Sequence, residues 1–247
     1  MTKAAAVLAF LIIFYGLGRM FPVVRFTGYG RVVKNMGLAA INALLSPLIV
    51  IPIAALAVRY ALHWRPDWWS GTPGLLVDLL LLDIWIYWWH RANHVVPFLW
   101  RFHEVHHLDE TLDATSALRF HFGEVLLSSL VRALVIFLLA VPLANVLIFE
   151  TLLAGATMFH HSNIRMPARL ERLLAYFVVT PSIHWVHHHA IRSDTDSNYA
   201  TVLSLWDKLF SSRSRTQRTA EMPVGVEGRS DTDFMSLVVR PFSNIRE

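Results

Sequence analysis

Long runs with almost no charged residue recur along this chain, and they leave it few ways to fold. A bilayer core about 30 Å thick is crossed by roughly 20 apolar residues in a helix. Ala4–Met20 is the first such run. Arg19, Met20 and Phe21 stand where a signal peptide would place a small-residue cleavage site, so the run reads as a retained anchor. Met36–Leu62 is the second, with Pro47 and Pro52 predicting kinks near its middle. Gly74–Trp89 is the third and carries two acids, Asp78 and Asp83. Val125–Phe159 has about twice the length of a minimal span, and Pro142 near its centre predicts two helices joined as a hairpin. With 55% hydrophobic and 16% charged residues, against about 25% charged in soluble domains, an ordinary soluble globule is excluded. The expected fold is all-α, an integral membrane helical bundle.

Lys and Arg orient the bundle, because cytoplasmic loops hold an excess of them. Arg19, Arg25, Arg31 and Lys34 lie between the first two spans, and only Arg59 and Arg65 between the second and third. Arg91, Arg101 and Arg119 follow the third span, and Arg165, Arg169 and Arg172 follow the hairpin. This alternation predicts that everything from His90 onward, the hairpin apart, faces the cytoplasm. Trp64, Trp68 and Trp69, with His63, then mark the opposite interface. The net charge of +4 is accounted for by these loops, and no Lys/Arg-rich run suggests a nucleic-acid partner. The absence of Cys excludes disulfides, Cys-ligated zinc and iron–sulfur clusters.

The chain is rich in one residue, with 13 His, most of them in short windows. His90 and His94 form an H-x-x-x-H at the end of the third span, and residues four apart share a helix face. His103, His106 and His107 form an H-x-x-H-H, and His184, His187 and His188 repeat that spacing, followed by His189. His160 and His161 leave the hairpin, and His121 precedes it. A single interfacial His is ordinarily a hydrogen-bonding group. Eight in three boxes, all expected on one face, form a metal-ligating set instead, and they exceed the four positions of one tetrahedral zinc. Two metals about 3.5–4 Å apart are indicated. Two other readings compete. His103-Glu104-x-x-His107 also matches the H-E-x-x-H of zinc metalloproteases, in which Glu acts as general base. A non-catalytic membrane protein whose His merely bind metal is the third.

The three boxes in this order resemble the fatty acid hydroxylase superfamily, which includes sterol desaturases. The likeness runs from about Leu75 to Phe210 and takes in Asp83 to His94, Leu99 to His103, Arg119–Phe120–His121 with Glu124, and His161–Ser162–Asn163. It continues through Asp196, Asn198–Tyr199 and Leu205 to Phe210. Ala200 and Ser211 depart from it where the family commonly has Gly, which puts local loop geometry in question. The resemblance implies a membrane-embedded, O2-dependent di-iron enzyme that hydroxylates or desaturates a lipid C–H bond, with the boxes forming a cytoplasmic cap on the bundle. Hydroxylation is preferred, since the short chain has no extra elements. On that reading His90, His94, His103, His106, His107, His184, His187 and His188 are ligands, with His161 as a ninth and His121 as a tenth. His160 and His189 lie behind the metals or face solvent. Asp83, Asp196 and Asn198 are expected to stand behind ligating imidazoles, which commonly donate their other N–H to such groups. Arg119 is expected to pair with Glu124. Residues 1–72 then form N-terminal membrane helices, 73–212 the catalytic region and 213–247 a polar C-terminal extension. No haem or flavin motif is present, so electrons are expected from a separate redox protein.

Overall fold

A computed structural model describes residues 2–26 and 28–243, and among these the chain is all helical apart from isolated bridges. Helix α1 (Lys3–Met20) leads to α2 (Gly30–Leu45), a π-helical turn (Ser46–Val50) and α3 (Ile51–Arg59). The turn falls where Pro47 and Pro52 each remove a backbone donor, as the two prolines predict. Helix α4 (Gly71–Val95) is longer than the apolar run suggested and holds the first His box inside its last turns. Helix α5 (Pro97–His107) turns off at once, since Pro97 cannot continue α4. The hairpin is α6 (Phe122–Leu139) and α7 (Leu143–His161), broken at left-handed Ala140 and capped by Pro142. Short helices follow: α8 (Ala168–Leu174), α9 (Pro181–His187), α10 (Arg192–Thr195), α11 (Leu205–Leu209) and α12 (Phe234–Val239).

Five segments are long and apolar enough to cross a bilayer, namely α1, the α2–α3 rod, α4, α6 and α7. Their outer faces leave large apolar side chains such as Ile12, Leu48, Leu76 and Leu134 exposed, which lipid covers. Between the helices Leu82, Ile136, Val146 and Phe149 pack as an inner core. Helix α1 lies along α7 in the same direction, with Phe10 on Gly155 and Phe14 on Phe159. At the end away from the His boxes, the loop before α4 caps the hairpin. The Leu62 N–H, the Trp64 indole and Arg65 donate to the carbonyls of Phe137, Leu138 and Leu139, which the end of α6 leaves unpaired. Asp78 is buried there and accepts from Arg65, from the Trp69 indole at 3.0 Å and from Asn145 at 2.7 Å.

The C-terminal residues pack back on the bundle. Leu237 of α12 is buried against Leu38, Val105 and Leu108, so the segment from Val226 to Val239 packs back onto α5. Glu104 is clasped by Arg229 and, at 2.7 Å, by Arg240. Ser211 has φ +55 just past α11, a conformation in which Gly is free of the Cβ cost. The Ser in place of Gly is therefore a local cost, and Ser211→Gly should raise the unfolding midpoint by roughly 2–4 °C. A thermal scan that shows no rise contradicts this account of the turn.

Candidate metal centre

Nine imidazoles converge at one end of the bundle in two groups. Ligand atoms of His90, His94, His103, His107 and His187 lie within 4.8 Å of one another, and those of His106, His161, His184 and His188 do the same. Helix periodicity explains how each box contributes. In an H-x-x-H-H, the first and last His share a face and the middle one is rotated off it. His103 and His107 therefore join the five-imidazole group while His106 crosses to the other. The third box does the reverse, sending His184 and His188 to the four-imidazole group and His187 across. The first box adds His90 and His94 to the larger group, and the end of α7 adds His161 to the smaller.

The donor atoms fit cations better than they fit one another. In the smaller group, His161 Nε2 lies 3.0 Å from both His106 Nε2 and His184 Nε2, and His184 Nε2 lies 3.2 Å from His188 Nε2. His161 Nδ1 donates to the Thr157 carbonyl at 2.7 Å, so its Nε2 carries only a lone pair. One lone pair cannot serve two donors well, and four such nitrogens cannot pair off within a ring of imidazoles. Nitrogens bound to one ion at about 2.1 Å stand about 3.0 Å apart when cis, which matches this spacing. In the larger group His187 Nε2 and both nitrogens of His94 are buried without a partner. Burial, and then the neighbouring imidazoles, hold His106, His107, His184, His187 and His188 well below the ordinary histidine range. They are thus neutral, with lone pairs available. Each takes up a proton more readily in the unfolded chain, so their stability contribution is complete above about pH 6.5 and is lost as pH falls below it. Metal-free protein should show an unfolding midpoint that declines as pH drops from about 6.5 to 5; a flat midpoint contradicts neutral burial.

Backbone carbonyls set the rings. His90 Nδ1 donates to the Tyr199 carbonyl at 2.8 Å and His187 Nδ1 to the Ser197 carbonyl at 2.7 Å. Asn198 between them adopts φ +51, which Asn tolerates, and so turns both carbonyls inward. Asn198 itself hydrogen-bonds no imidazole; its side chain bonds the Ile183 carbonyl and the Ser214 N–H. Asp83 also stands one layer further out than expected. Its Oδ2 accepts from the Trp206 indole at 2.7 Å and the Leu203 N–H at 3.1 Å, which fixes the loop bearing those carbonyls. Asp196 Oδ1 lies 3.4 Å from His94 Nδ1 without hydrogen-bond geometry.

Glu124, expected to pair with Arg119, instead accepts from His103 Nδ1 at 2.9 Å and from Asn93 at 3.3 Å. It is a buried acid beside the five-imidazole group, placed by Gly123, where a Cβ would stand 2.4 Å from the Phe102 ring. Arg119 binds Asp231, Asn35 and the Val105 carbonyl. Glu124→Ala should lower metal affinity about 10–100-fold and Glu124→Gln less, because the amide oxygen still accepts from His103. Chelator competition measures this, and wild-type affinity in both variants contradicts the assignment.

His121 joins neither group. It caps α6, with Nδ1 accepting from the Gly123 N–H at 3.0 Å and Nε2 donating to the Val238 carbonyl at 2.9 Å. His189 is buried and donates to Asp194 at 2.7 Å, and His160 Nδ1 donates to the Thr201 carbonyl at 3.1 Å. His63 is exposed at the far end. Glu104, the general base of a metalloprotease reading, is engaged by two guanidiniums rather than open to the imidazoles.

Comparison with known proteins places this geometry. The ornithine lipid hydroxylase OlsE of Rhizobium tropici is 29% identical over 197 residues, 80% of this chain and 59% of that protein. The alkylglycerol monooxygenase of Homo sapiens is 33% identical over 153 residues, 61% of this chain and 32% of that protein. The cholesterol 25-hydroxylase of Mus musculus is 29% identical over 150 residues, 60% of this chain and 48% of that protein. The chain thus spans from a third to three fifths of the length of these relatives. No solved structure matches it. The fatty acid hydroxylase family model matches residues 75–212, more than half of the chain. All nine converging histidines lie inside that span, and the chain belongs to the fatty acid hydroxylase family.

Proposed function

We propose that this protein is a membrane-bound oxygenase that hydroxylates a C–H bond of a lipid with O2, using two iron ions held by the nine imidazoles. The observation that carries this is the pairing of two buried, all-imidazole donor groups within one family match. The names of its relatives, hydroxylases and a monooxygenase acting on ornithine lipid, alkylglycerol and cholesterol, favour hydroxylation over desaturation. Residues 73–212 form the catalytic region and 1–72 anchor it.

An unactivated C–H bond offers nothing for acid–base attack, so bound iron supplies the O2 activation and the protein supplies position and shielding. One oxygen atom enters the C–H bond and the other leaves as water, with two electrons and two protons consumed. The electrons come from a separate redox protein docking at the Arg-rich cytoplasmic face. His90, His94, His103, His107 and His187 would hold one ion, and His106, His161, His184 and His188 the other. The carbonyls of Ser197, Tyr199 and Thr157 orient three of these rings and fix their tautomers. Glu124 supplies negative charge through His103.

Lipidomics of membranes with the wild-type gene, without it, and with His106→Ala, grown under 18O2, tests the reading. A lipid gaining one 18O atom only in the wild-type strain is expected. No oxygenated lipid in any strain, or oxygen drawn from water, overturns it.

A further inference from the structure

At the end of α1 nearest the His boxes lies a cavity of about 210 Å³ that none of the nine converging imidazoles lines. Sites that enclose a whole small molecule run to roughly 300–1,000 Å³, so this one suits a single group of a larger ligand. Its lining is cationic. Arg19, in the last turn of α1, and Arg25 both line it, are exposed, and have no carboxylate partner among the described residues. The Arg19 guanidinium lies 3.7 Å over the Phe26 ring, which covers its face and leaves its N–H edge for an anion. The backbone carrying the pair is pinned. The Val23 and Val24 N–H groups donate to Asn163 Oδ1 at 3.1 and 3.0 Å, and Asn163 Nδ2 donates to the Val24 carbonyl at 2.7 Å. Such holding in advance lowers the cost of binding. The one acid of the lining, Asp113, is bound by Arg31, so no free carboxylate there awaits the ammonium of a zwitterion.

We propose that this cavity binds the phosphate of an anionic phospholipid between Arg19 and Arg25, with the acyl chains outside it in the leaflet at the His-box end. The depth is right for a headgroup, because α1 is a membrane span that ends here and the adjoining Met20 and Phe21 are apolar and mostly exposed. Two arginines facing one phosphate oxygen set favour a net negative headgroup, since each guanidinium can donate two parallel N–H bonds. Orienting the bundle in the bilayer needs only the positive charge of these residues. Phosphate capture also needs the planar fork, which Lys lacks. The lipid is a bound companion of the fold and not the molecule oxidised, so the inference stands apart from the oxygenase reading.

Full-length protein extracted from vesicles of equal phosphatidylglycerol and phosphatidylcholine should retain phosphatidylglycerol over phosphatidylcholine, read by native mass spectrometry. Arg19→Gln with Arg25→Gln should cut that preference about tenfold, the worth of two partly exposed charge pairs. Arg19→Lys with Arg25→Lys keeps the charge that orients the chain and should still cut it about threefold. Arg101→Gln, at an exposed arginine outside the cavity, should leave it unchanged. Millimolar inorganic phosphate should not displace the lipid. Equal retention of both lipids, or a preference untouched in the Gln pair, overturns the site. A Lys pair equal to wild type reduces the effect to bulk charge and overturns it too, and displacement by inorganic phosphate assigns the cavity to a soluble anion instead of a lipid.

Discussion

His106→Ala and His184→Ala should remove the same metal ion, while His107→Ala, one residue from the first, should disturb the other. The two H-x-x-H-H boxes divide their imidazoles between the groups in opposite senses, so sequence neighbours serve different ions and distant residues share one. Losing one of four nitrogens leaves three, and the affected ion should bind more weakly by at least the 10–100-fold typical of a lesser, outer partner. Metal content is expected to fall from two ions per chain to about one in His106→Ala, His161→Ala, His184→Ala and His188→Ala. The five-imidazole group keeps four ligands after His107→Ala or His187→Ala and should release its ion only to a chelator. Lipid oxygenation should drop by about 100-fold or more in all six, since either ion alone leaves the pair incomplete. If His106→Ala and His107→Ala lost the same ion, the partition between the groups would be wrong.

The second large effect concerns stability. Arg31 binds Asp109, which is fully buried, together with Asp113 and Ser116 at 2.8 Å. Asn35 donates to the same Asp109 at 2.9 Å, and Arg119 reaches Asn35 at 3.1 Å, so one polar network joins α2 to the loop after the second box. Removing one partner of a buried ion pair leaves an uncompensated charge and costs about 3–5 kcal/mol. Total stability is only about 5–15 kcal/mol. Arg31→Met should therefore lower the unfolding midpoint by roughly 6–20 °C. Arg31→Met with Asp109→Asn removes the stranded charge and should recover part of the loss. A single variant as stable as wild type, or a double variant worse than the single, contradicts this view of the network.

The spans and the break at Pro142 were legible because apolar length and proline chemistry act locally. So were the pairs His90/His94, His103/His107 and His184/His188, since a helix sets four-residue neighbours on one face. Which middle imidazole crosses to the other ion was not legible, because that depends on how α5 and α9 pack. His121 was over-read for a related reason: a His before an apolar helix can be a ligand or a cap. Its neighbours Gly123 and Glu124, in the first turn of α6, were the available signal for a cap with a buried acid beside it. Asn198 belongs to the carbonyl-positioning loop and Asp83, on α4, anchors it, roles that are invisible without the tertiary fold. The packing of the C-terminal segment had a faint signature in the apolar run Phe234–Val239, which stands out from its polar surroundings.

Iron analysis of the wild-type protein, purified anaerobically and read with its X-ray absorption spectrum, bears most directly on the account. Two irons per chain are predicted, each with four or five nitrogens at about 2.1 Å. One iron or none per chain, or a coordination shell dominated by oxygen, would contradict it.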